Sequence, residues 1–535
     1  MFVRVKSVVD GGEDDVYDIE MSAPHHSFVA NGIVVHNCEW LGAVKLDLLG
    51  LRHLDTLMVA RDLIHQTTGV WLDYESFGDA EFNDSDIWGE MDRGQTVGIF
   101  QLETASGTRV TRDFKPKSMT DVADLISVNR PGVIRAGLLS HYINRRHGIE
   151  AVSYDHPLME SIVGDTYGVL VYQEQLIQAC QTLAGFTLVE ADELRKLIGK
   201  KQIEKLGPMK DKFVKGCLAN PSFTETFTAG KSTPLMDVII KIWASFEAAG
   251  SYCFNKSHAI GYETIATWEI WTKHYYPKEF IVALMQTDSE NINKYVREAR
   301  KRGIQIMPPD INLSGRKFTL CDNGIRYGLD TVYGVGPTAV EDILNNRPFE
   351  SLDDLLAKGT GRGAAKKSVV LNLIKIGAFD TLGDRRALME SFCASRKDLA
   401  DVSIPDFDDE NVVYEIEKEL VGNFVTVDPM GKYLNAIEAV CIQHPDDMKN
   451  YKINDMFYVG GMVTRIKRHK TKGGKDMAFF AVSWNEEEYD VVAFPDAWES
   501  VKNLLKVGAP VACQVIKLEK GCCLSTLERL DLVIR

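Results

Sequence analysis

Residues Val34-Val35-His36-Asn37-Cys38 hold what is needed to break a peptide bond from within and remake it. An Asn side-chain amide can attack its own backbone carbonyl and close a succinimide. A neighbouring His can protonate the leaving amine, and a following Cys thiol can take over an acyl group. The bond that would break is Asn37–Cys38. A second centre is Asp47, one carboxylate interrupting the apolar run Val44-Lys45-Leu46-Asp47-Leu48-Leu49-Gly50-Leu51. Burying an unpaired carboxylate is costly, so Asp47 should face a cation, a metal or a cavity, or else end a strand and cap a helix. A third group is cationic. Arg195, Lys196, Lys200 and Lys201 fall on neighbouring helical turns, and Asn255, Lys256 and His258 lie close in sequence. Both sets could offer point charges and forks to phosphate oxygens, and both could equally be solvent-exposed helix charges.

The elements that must position these groups follow from the pattern. Val16-Tyr17-Asp18-Ile19 and His26-Ser27-Phe28-Val29-Ala30-Asn31-Gly32 are short apolar runs separated by turn residues, which predicts paired strands ahead of Asn37. From 53 to 300, apolar residues recur at three-and-four spacing, as in Leu176 to Leu183 and Val238 to Ala249, predicting a large helical domain. Near 305–345 the texture changes to Pro308-Pro309, short β-rich pieces, and Gly334-Val335-Gly336 opening a helix. Residues 397–412 are acidic and Pro-broken and read as a linker, and from Tyr458 short alternating strands predict a small β-barrel.

Composition bounds the class. The chain has 45% hydrophobic and 26% charged residues, which describes a soluble globular protein of several domains. No stretch suits a bilayer and no secretory pattern opens the chain, so a cytoplasmic location and no membrane partner are expected. The ten cysteines lack CxxC or Cys/His pair spacing, which excludes an evident zinc site or disulfide framework. A net charge of −15 argues against a nucleic-acid partner globally. The basic residues nevertheless cluster, at Arg145-Arg146, Arg195-Lys196, Arg300-Lys301-Arg302 and from Arg465 through Lys475, while acids crowd 405–419.

The block ending at Cys38 resembles the C-terminal splicing segment of inteins. The resemblance implies that Asn37 cyclises, His36 assists, Cys38 becomes the first residue of the joined product, and His26 and Asp18 tune the first acyl shifts. A 37-residue segment is too small to bury a core alone, so the expected partner is a separate polypeptide carrying the N-terminal intein fragment fused to an N-terminal protein half. A misplaced start codon, or an insertion broken by a frameshift, are the alternatives.

From Cys38 onward, Asp47 and its strand join Phe100-Gln101-Leu102-Glu103, Asn129-Arg130-Pro131-Gly132, Tyr172-Gln173-Glu174-Gln175, Arg195-Lys196-Leu197-Ile198-Gly199-Lys200-Lys201 and Cys253-Phe254-Asn255-Lys256-Ser257-His258. In this order they resemble the bacterial replicative DNA polymerase III alpha subunit, the C family of DNA polymerases. The resemblance implies two Mg2+ ions held by three palm carboxylates, of which Asp47 matches the third. The first two belong to a Pro-Asp-X-Asp motif that nothing between Cys38 and Asp47 supplies, so the chain alone is not expected to polymerise. Pro405-Asp406-Phe407-Asp408 repeats those letters inside the acidic stretch and reads as a solvated face. Arg130, Arg195, Lys196, Lys200, Lys201, Asn255, Lys256 and His258 are then implied dNTP ligands. Tyr172 and Gln173 become either a pocket wall or core and capping residues.

The implied architecture is multidomain α+β: a β-rich intein fragment at 1–37, the end of the palm at 38–52, mostly helical fingers at 53–320, tandem helix-hairpin-helix units at 321–385, a linker and clamp-binding-like region at 386–450, and an OB-fold at 451–535. Gly334, Val335 and Gly336 would bring backbone amides to a DNA phosphate, with Leu373 to Asp380 as the second hairpin. Lys467, Arg468, Lys470 and Lys472 would track single-stranded template, and of Phe479 and Phe480 only one can stack. Primer–template DNA is the expected partner. No Gln-and-Leu-Phe peptide for a sliding clamp is found between Ser391 and Glu410, and the domain that follows the barrel in longer members is expected to be absent. A DNA-binding remnant without catalysis, carrying a relic splicing block, is the rival reading.

Overall fold

A computed structural model describes residues 27–30, 33–36, 50–199, 202–227, 234–250, 252–422, 425–426, 430–442, 448, 451–471, 473–484 and 487–533. The first unit, Met1–Leu51, contains β1 (Ser27–Ala30) and β2 (Ile33–His36), an antiparallel pair in the register Ser27↔His36 to Ala30↔Ile33. The second expected run thus supplies β1, whose partner is Ile33–His36; the first, Val16–Ile19, lies outside the described residues. His36 ends β2, whereas Asp18, His26, Asn37, Cys38 and Asp47 lie outside the described residues.

In the second unit, residues 53–300 are helical, as the periodicity predicts. The helix Gln173–Ala184 buries Leu176, Ala179, Cys180 and Leu183, and Leu235–Ala249 buries Val238, Ile239, Ile242, Trp243 and Phe246. At the centre the long helix Lys256–Tyr275 packs on Met119–Val128. The latter is buried continuously from Val122 to Val128 and is capped by the Ser118 hydroxyl accepting from the Asp121 amide. Two buried polar groups brace this core. Lys273, 1% exposed, donates to the carbonyls of Gln95 and Val97 and pairs with Glu298 at 2.8 Å. Glu269, 0% exposed, accepts from the Phe100 amide at 2.6 Å and meets His53 Nδ1 at 2.6 Å.

The second brace has a sign that can be tested. Burial pushes the Glu269 carboxyl up to about 7, against the lowering effect of His53. Burial works to lower His53, but its hydrogen bond to Glu269 and the Glu269 charge raise it overall. The two share one hydrogen bond and titrate as a pair that holds protons more tightly folded than unfolded, led by the buried Glu269, so its contribution is full at low pH and fades as pH rises through neutrality. The chain should lose roughly 2–3 kcal/mol of stability between about pH 5 and pH 8. Urea midpoints measured across that range should fall, and Glu269→Gln should flatten the fall.

After the helical domain, β3 (Gln305–Met307), β4 (Thr319–Cys321) and β5 (Gly324–Arg326) form a small mixed sheet in the order β3-β5-β4. Residues from Ile311 to Leu420 then share one apolar core. The segment expected as a linker belongs to it. Val402, Ile404 and Phe407 pack against that core, and the helix Glu410–Val421 buries Val413, Ile416 and Leu420. The acidic residues masked an apolar spacing. Asp406 and Asp408 do face outward, and both meet Arg386 Nη2, at 2.7 and 3.2 Å, so Pro405-Asp406-Phe407-Asp408 is a surface ion pair.

The chain closes on a five-stranded barrel of β6 (Met456–Lys470), β7 (Asp476–Trp484), β8 (Glu487–Ala493), β9 (Pro510–Lys517) and β10 (Cys522–Arg529), in the cyclic order β10-β8-β7-β6-β9. Only β8–β10 is parallel. The strand β6 pairs with β9 along its first half and β7 along its second. It turns between them at Gly461, whose φ of +148° and 2.1 Å gap from a Cβ to the Ser483 carbonyl oxygen admit no side chain. Ile437 of the helix Leu434–Val440, with Tyr433 before it and Cys441 after it, belongs to the barrel core, so that core begins before 451.

Candidate nucleic-acid interface

Four sequence motifs meet at one place in the helical domain. A parallel bridge joins Tyr172 to Phe254, with the Gln173 amide donating to the Phe254 carbonyl at 2.8 Å and the Phe254 amide to the Val171 carbonyl at 2.9 Å. Arg130 completes the junction: its guanidinium lies 4.5 Å from the Phe254 ring centroid and donates to the Tyr252 carbonyl at 3.1 Å. Beside it opens a cleft of about 350 Å³ lined by Gln173, Leu176, Arg195, Lys196, Gly199, Gly250 and Cys253.

The cleft is cationic. Arg195 donates to Gln173 Oε1 at 3.0 Å and to Asp192 at 2.8 Å, and Lys196 reaches the same carboxylate at 2.9 Å. Two cations on one carboxylate leave a net positive rim, suited to a phosphate. The acid Asp192, one helical turn before both, was missed in the sequence, although its spacing was visible. The lysines 200 and 201 lie outside the described residues.

The remaining expected ligands divide by role. Tyr172 is buried and donates its hydroxyl to Asp124 at 2.5 Å, so it supports the junction from behind instead of facing a ligand. Tyr142 donates to the same carboxylate at 2.6 Å, and burial holds Asp124 above its ordinary value despite both hydrogen bonds. Asn255 is spent on capping: its Oδ1 accepts from the His258 amide at 2.8 Å and its Nδ2 donates to Glu174 at 3.2 Å. Lys256 lies 5.4 Å over the Tyr172 ring, and His258 is exposed, its ring 4.1 Å from that of Tyr262. Of the eight implied ligands besides Tyr172 and Gln173, Arg195 and Lys196 line the cleft and Arg130 braces its wall.

The two hairpins differ. At the first, Gly334 takes φ +81° and Gly336 caps the helix Pro337–Asn346, while Val335 is buried. A Cβ at Gly336 would meet nothing within 4 Å, whereas one at Gly334 would lie 2.9 Å from Asn372 Nδ2, which donates to the Tyr333 carbonyl, so the turn is open to a phosphate on its Gly336 side. At the second, between the helices Lys367–Lys375 and Arg385–Ala394, Gly377 takes φ +87°, and a Cβ there would lie 2.1 Å from Arg385 Nη2 and 2.6 Å from Asp380 Oδ2. That turn is filled by its own ion pair. Ala378 and Phe379 are buried packing, as expected.

On the barrel, Phe479 is 44% exposed and Phe480 1%, which settles which of the two can stack. Lys467 lies opposite Phe479 on the neighbouring strand, whereas Arg468 and Lys470 line a groove against the helix Pro495–Val501. Lys472 lies outside the described residues. Among the described residues no three His, Cys, Asp or Glu side chains are placed to hold a metal, and no helix is long and apolar enough to cross a membrane.

The described residues thus form a mostly helical region with a cation-rimmed cleft, a pair of glycine-turned hairpins and a five-stranded barrel. Comparison with known proteins makes this specific. Residues 53–221 match the bacterial DNA polymerase III alpha subunit finger domain, and residues 303–389 match the helix-hairpin-helix motif. The chain is 34% identical over 483 residues to the DNA polymerase III subunit alpha of Aquifex aeolicus, covering 88% of this chain and 40% of that protein. To the same subunit of Thermus aquaticus it is 33% identical over 518 residues, covering 90% and 41%. These matches show a C-terminal region of a bacterial DNA polymerase III alpha subunit, and the chain spans about two fifths of the length of these relatives. A mitochondrial single-stranded DNA binding protein of S. cerevisiae, Rim1, superposes on 15% of the chain at a TM-score of 0.14 and 10% identity, too slight to bear on function.

Proposed function

We propose that residues from Cys38 onward are the C-terminal part of a replicative DNA-directed DNA polymerase, and that residues 1–37 are a splicing segment that joins them to an N-terminal half on another polypeptide. The observation that carries the polymerase reading is the convergence of Asn129-Arg130, Tyr172-Gln173, Arg195-Lys196 and Cys253-Phe254 on one cation-rimmed cleft. These motifs are spread from residue 129 to residue 254, and the fold brings Arg195 and Lys196 to the cleft with Arg130 against its wall. In this reading Arg195 and Lys196 receive the triphosphate of an incoming dNTP, with Lys200 and Lys201 beyond them on the same segment.

The open Gly334-Val335-Gly336 turn then takes a phosphate of duplex primer–template. The barrel's strand order, with its parallel closing pair and a helix between β8 and β9, supports an OB-fold that holds single-stranded template. Asp47, with two carboxylates from the N-terminal half, would hold two magnesium ions, whose chemistry is in-line phosphoryl displacement.

The cleft reading predicts a separable kinetic defect. In the joined polymerase, Arg195→Ala should raise KM for dNTP about 10- to 100-fold, the worth of a charge-assisted hydrogen bond to phosphate, with a smaller change in kcat. Steady-state primer extension at varied dNTP measures it. An unchanged KM would return Arg195 and Lys196 to ordinary helix charges. Joined protein that binds DNA but extends no primer would favour the non-catalytic remnant.

A further inference from the structure

The basic run on β6 does not form one surface. Side chains alternate across a strand, so Lys467 and His469 point to one side of the β6–β7 ribbon and Arg468 and Lys470 to the other. The first side carries the exposed Phe479, directly opposite Lys467 and 6.2 Å from the His469 ring. The second side forms a groove of about 670 Å³ with the helix Pro495–Val501, lined by Arg468, Lys470, Asp476, Trp498, Glu499, Lys502 and Asn503, with His469, whose ring faces Phe479, at its edge.

The groove is built for anions at its mouth. Arg468 lies 5.7 Å over the buried Trp498 ring, which holds its fork in place and leaves its donors outward. Lys470 lies 3.9 Å from Asp476 and Lys502 pairs with Glu499, but every one of these side chains is at least 41% exposed. Ion pairs so exposed are worth little, so both lysines can turn to a phosphate at small cost. Asn503 adds an amide donor.

We propose that this groove is a second contact for single-stranded nucleic acid: a strand stacked on Phe479 rounds the edge of the β6–β7 ribbon and seats a backbone phosphate between Arg468 and Lys502. The proposal rests on the single-strand reading of the barrel and adds Lys502 and Asn503 to it. The basic residues then act as a clip, gripping the strand from both sides of one ribbon. Two grips on one strand also explain why cations alternate with such regularity from Lys467 to Lys470, where a one-sided site would need only every second residue.

The test uses the full chain and a fluorescent oligothymidylate, with affinity followed by anisotropy over a range of salt. Arg468→Glu and Lys502→Glu should each weaken binding about tenfold and lower the slope of log affinity against log salt by about 0.7, one phosphate's worth for a single strand. Arg468→Lys should recover most of the loss. Lys241→Glu, the same charge change on the helix Leu235–Ala249 of the helical domain, should leave both quantities unchanged. Thermal melting confirms that each exposed variant is folded. If Phe479→Ala weakens binding while neither groove variant does, the groove is not used and the single-strand reading survives. If none of the three matters, both fall. If thymidine monophosphate competes at the groove as strongly as the oligonucleotide, the site holds a free phosphate and not a strand, which overturns the path proposed.

Discussion

In the joined polymerase, Asp47→Asn should cut primer extension about a thousandfold or more. The substitution keeps the size of the side chain and one carbonyl oxygen, but it removes the negative charge that a divalent cation requires of a ligand. Metal stabilisation of a phosphoryl transition state is worth several kcal/mol, and about 4 kcal/mol is a factor of a thousand. In this reading Asp47 is the one member of its carboxylate set that this chain contributes. Single-turnover extension isolates the chemical step, and primer–template affinity should stay within about twofold, since the hairpin and barrel contacts are untouched. Extension at a near-normal rate would make Asp47 a helix-capping residue and remove the metal site from this chain. The unjoined chain should extend nothing at any dNTP concentration.

What could be read in the residue order was whatever local periodicity encodes. The three-and-four spacing at Leu176 to Leu183 became a buried helix face, the alternation at Phe479-Phe480 placed one ring out and one in, and Gly334-Val335-Gly336 opened a helix. Partners contributed by distant segments were not legible. Asp192 divides Arg195 and Lys196 between a cleft and an ion pair, and Asp124 draws the Tyr172 hydroxyl inward, so a tyrosine adjacent to a pocket motif became a buttress. Glu269 and His53 are more than two hundred residues apart, and nothing local to either marks a shared proton.

Composition misled in two places. The acids of 397–412 suggested a solvated linker, yet Val402, Ile404 and Phe407 are spaced to meet a core on one side while the carboxylates meet Arg386 on the other. The basic run from Arg465 to Lys475 suggested one patch, whereas strand alternation and the helix Pro495–Val501 divide it between two faces. The second hairpin shows the same limit from another side. Its glycine has a left-handed backbone, but the Asp380–Arg385 ion pair lies directly against it. A motif gives the backbone conformation and says nothing of what already sits above it.

The second large effect concerns the first 38 residues. Asn37→Ala should abolish formation of a joined product when this chain is mixed with the partner that carries the N-terminal intein fragment. Ring closure needs the side-chain amide nitrogen as nucleophile and a five-membered ring, and alanine supplies neither. His36→Ala should slow joining by about 10²- to 10⁴-fold, since the leaving amine can still be protonated by water. The block in Asn37→Ala falls after acyl transfer, because the Cys38 thiol remains free to accept the N-terminal half as a thioester. A branched species therefore should accumulate, of greater mass than either half on a denaturing gel and cleaved by hydroxylamine. Cys38→Ala should prevent that species from forming. Primer extension by a mixture carrying both Asn37→Ala and Cys38→Ala, in which no bond links the halves, then separates two roles of the segment: activity without ligation means that buried interface alone assembles the palm, and inactivity means that a covalent bond is required to hold Asp47 against its companion carboxylates. A full-mass joined product from Asn37→Ala would show that residues 1–37 do not splice by Asn cyclisation at all, and the strand pair Ser27–Ala30 with Ile33–His36 would then be only a sheet-forming arm.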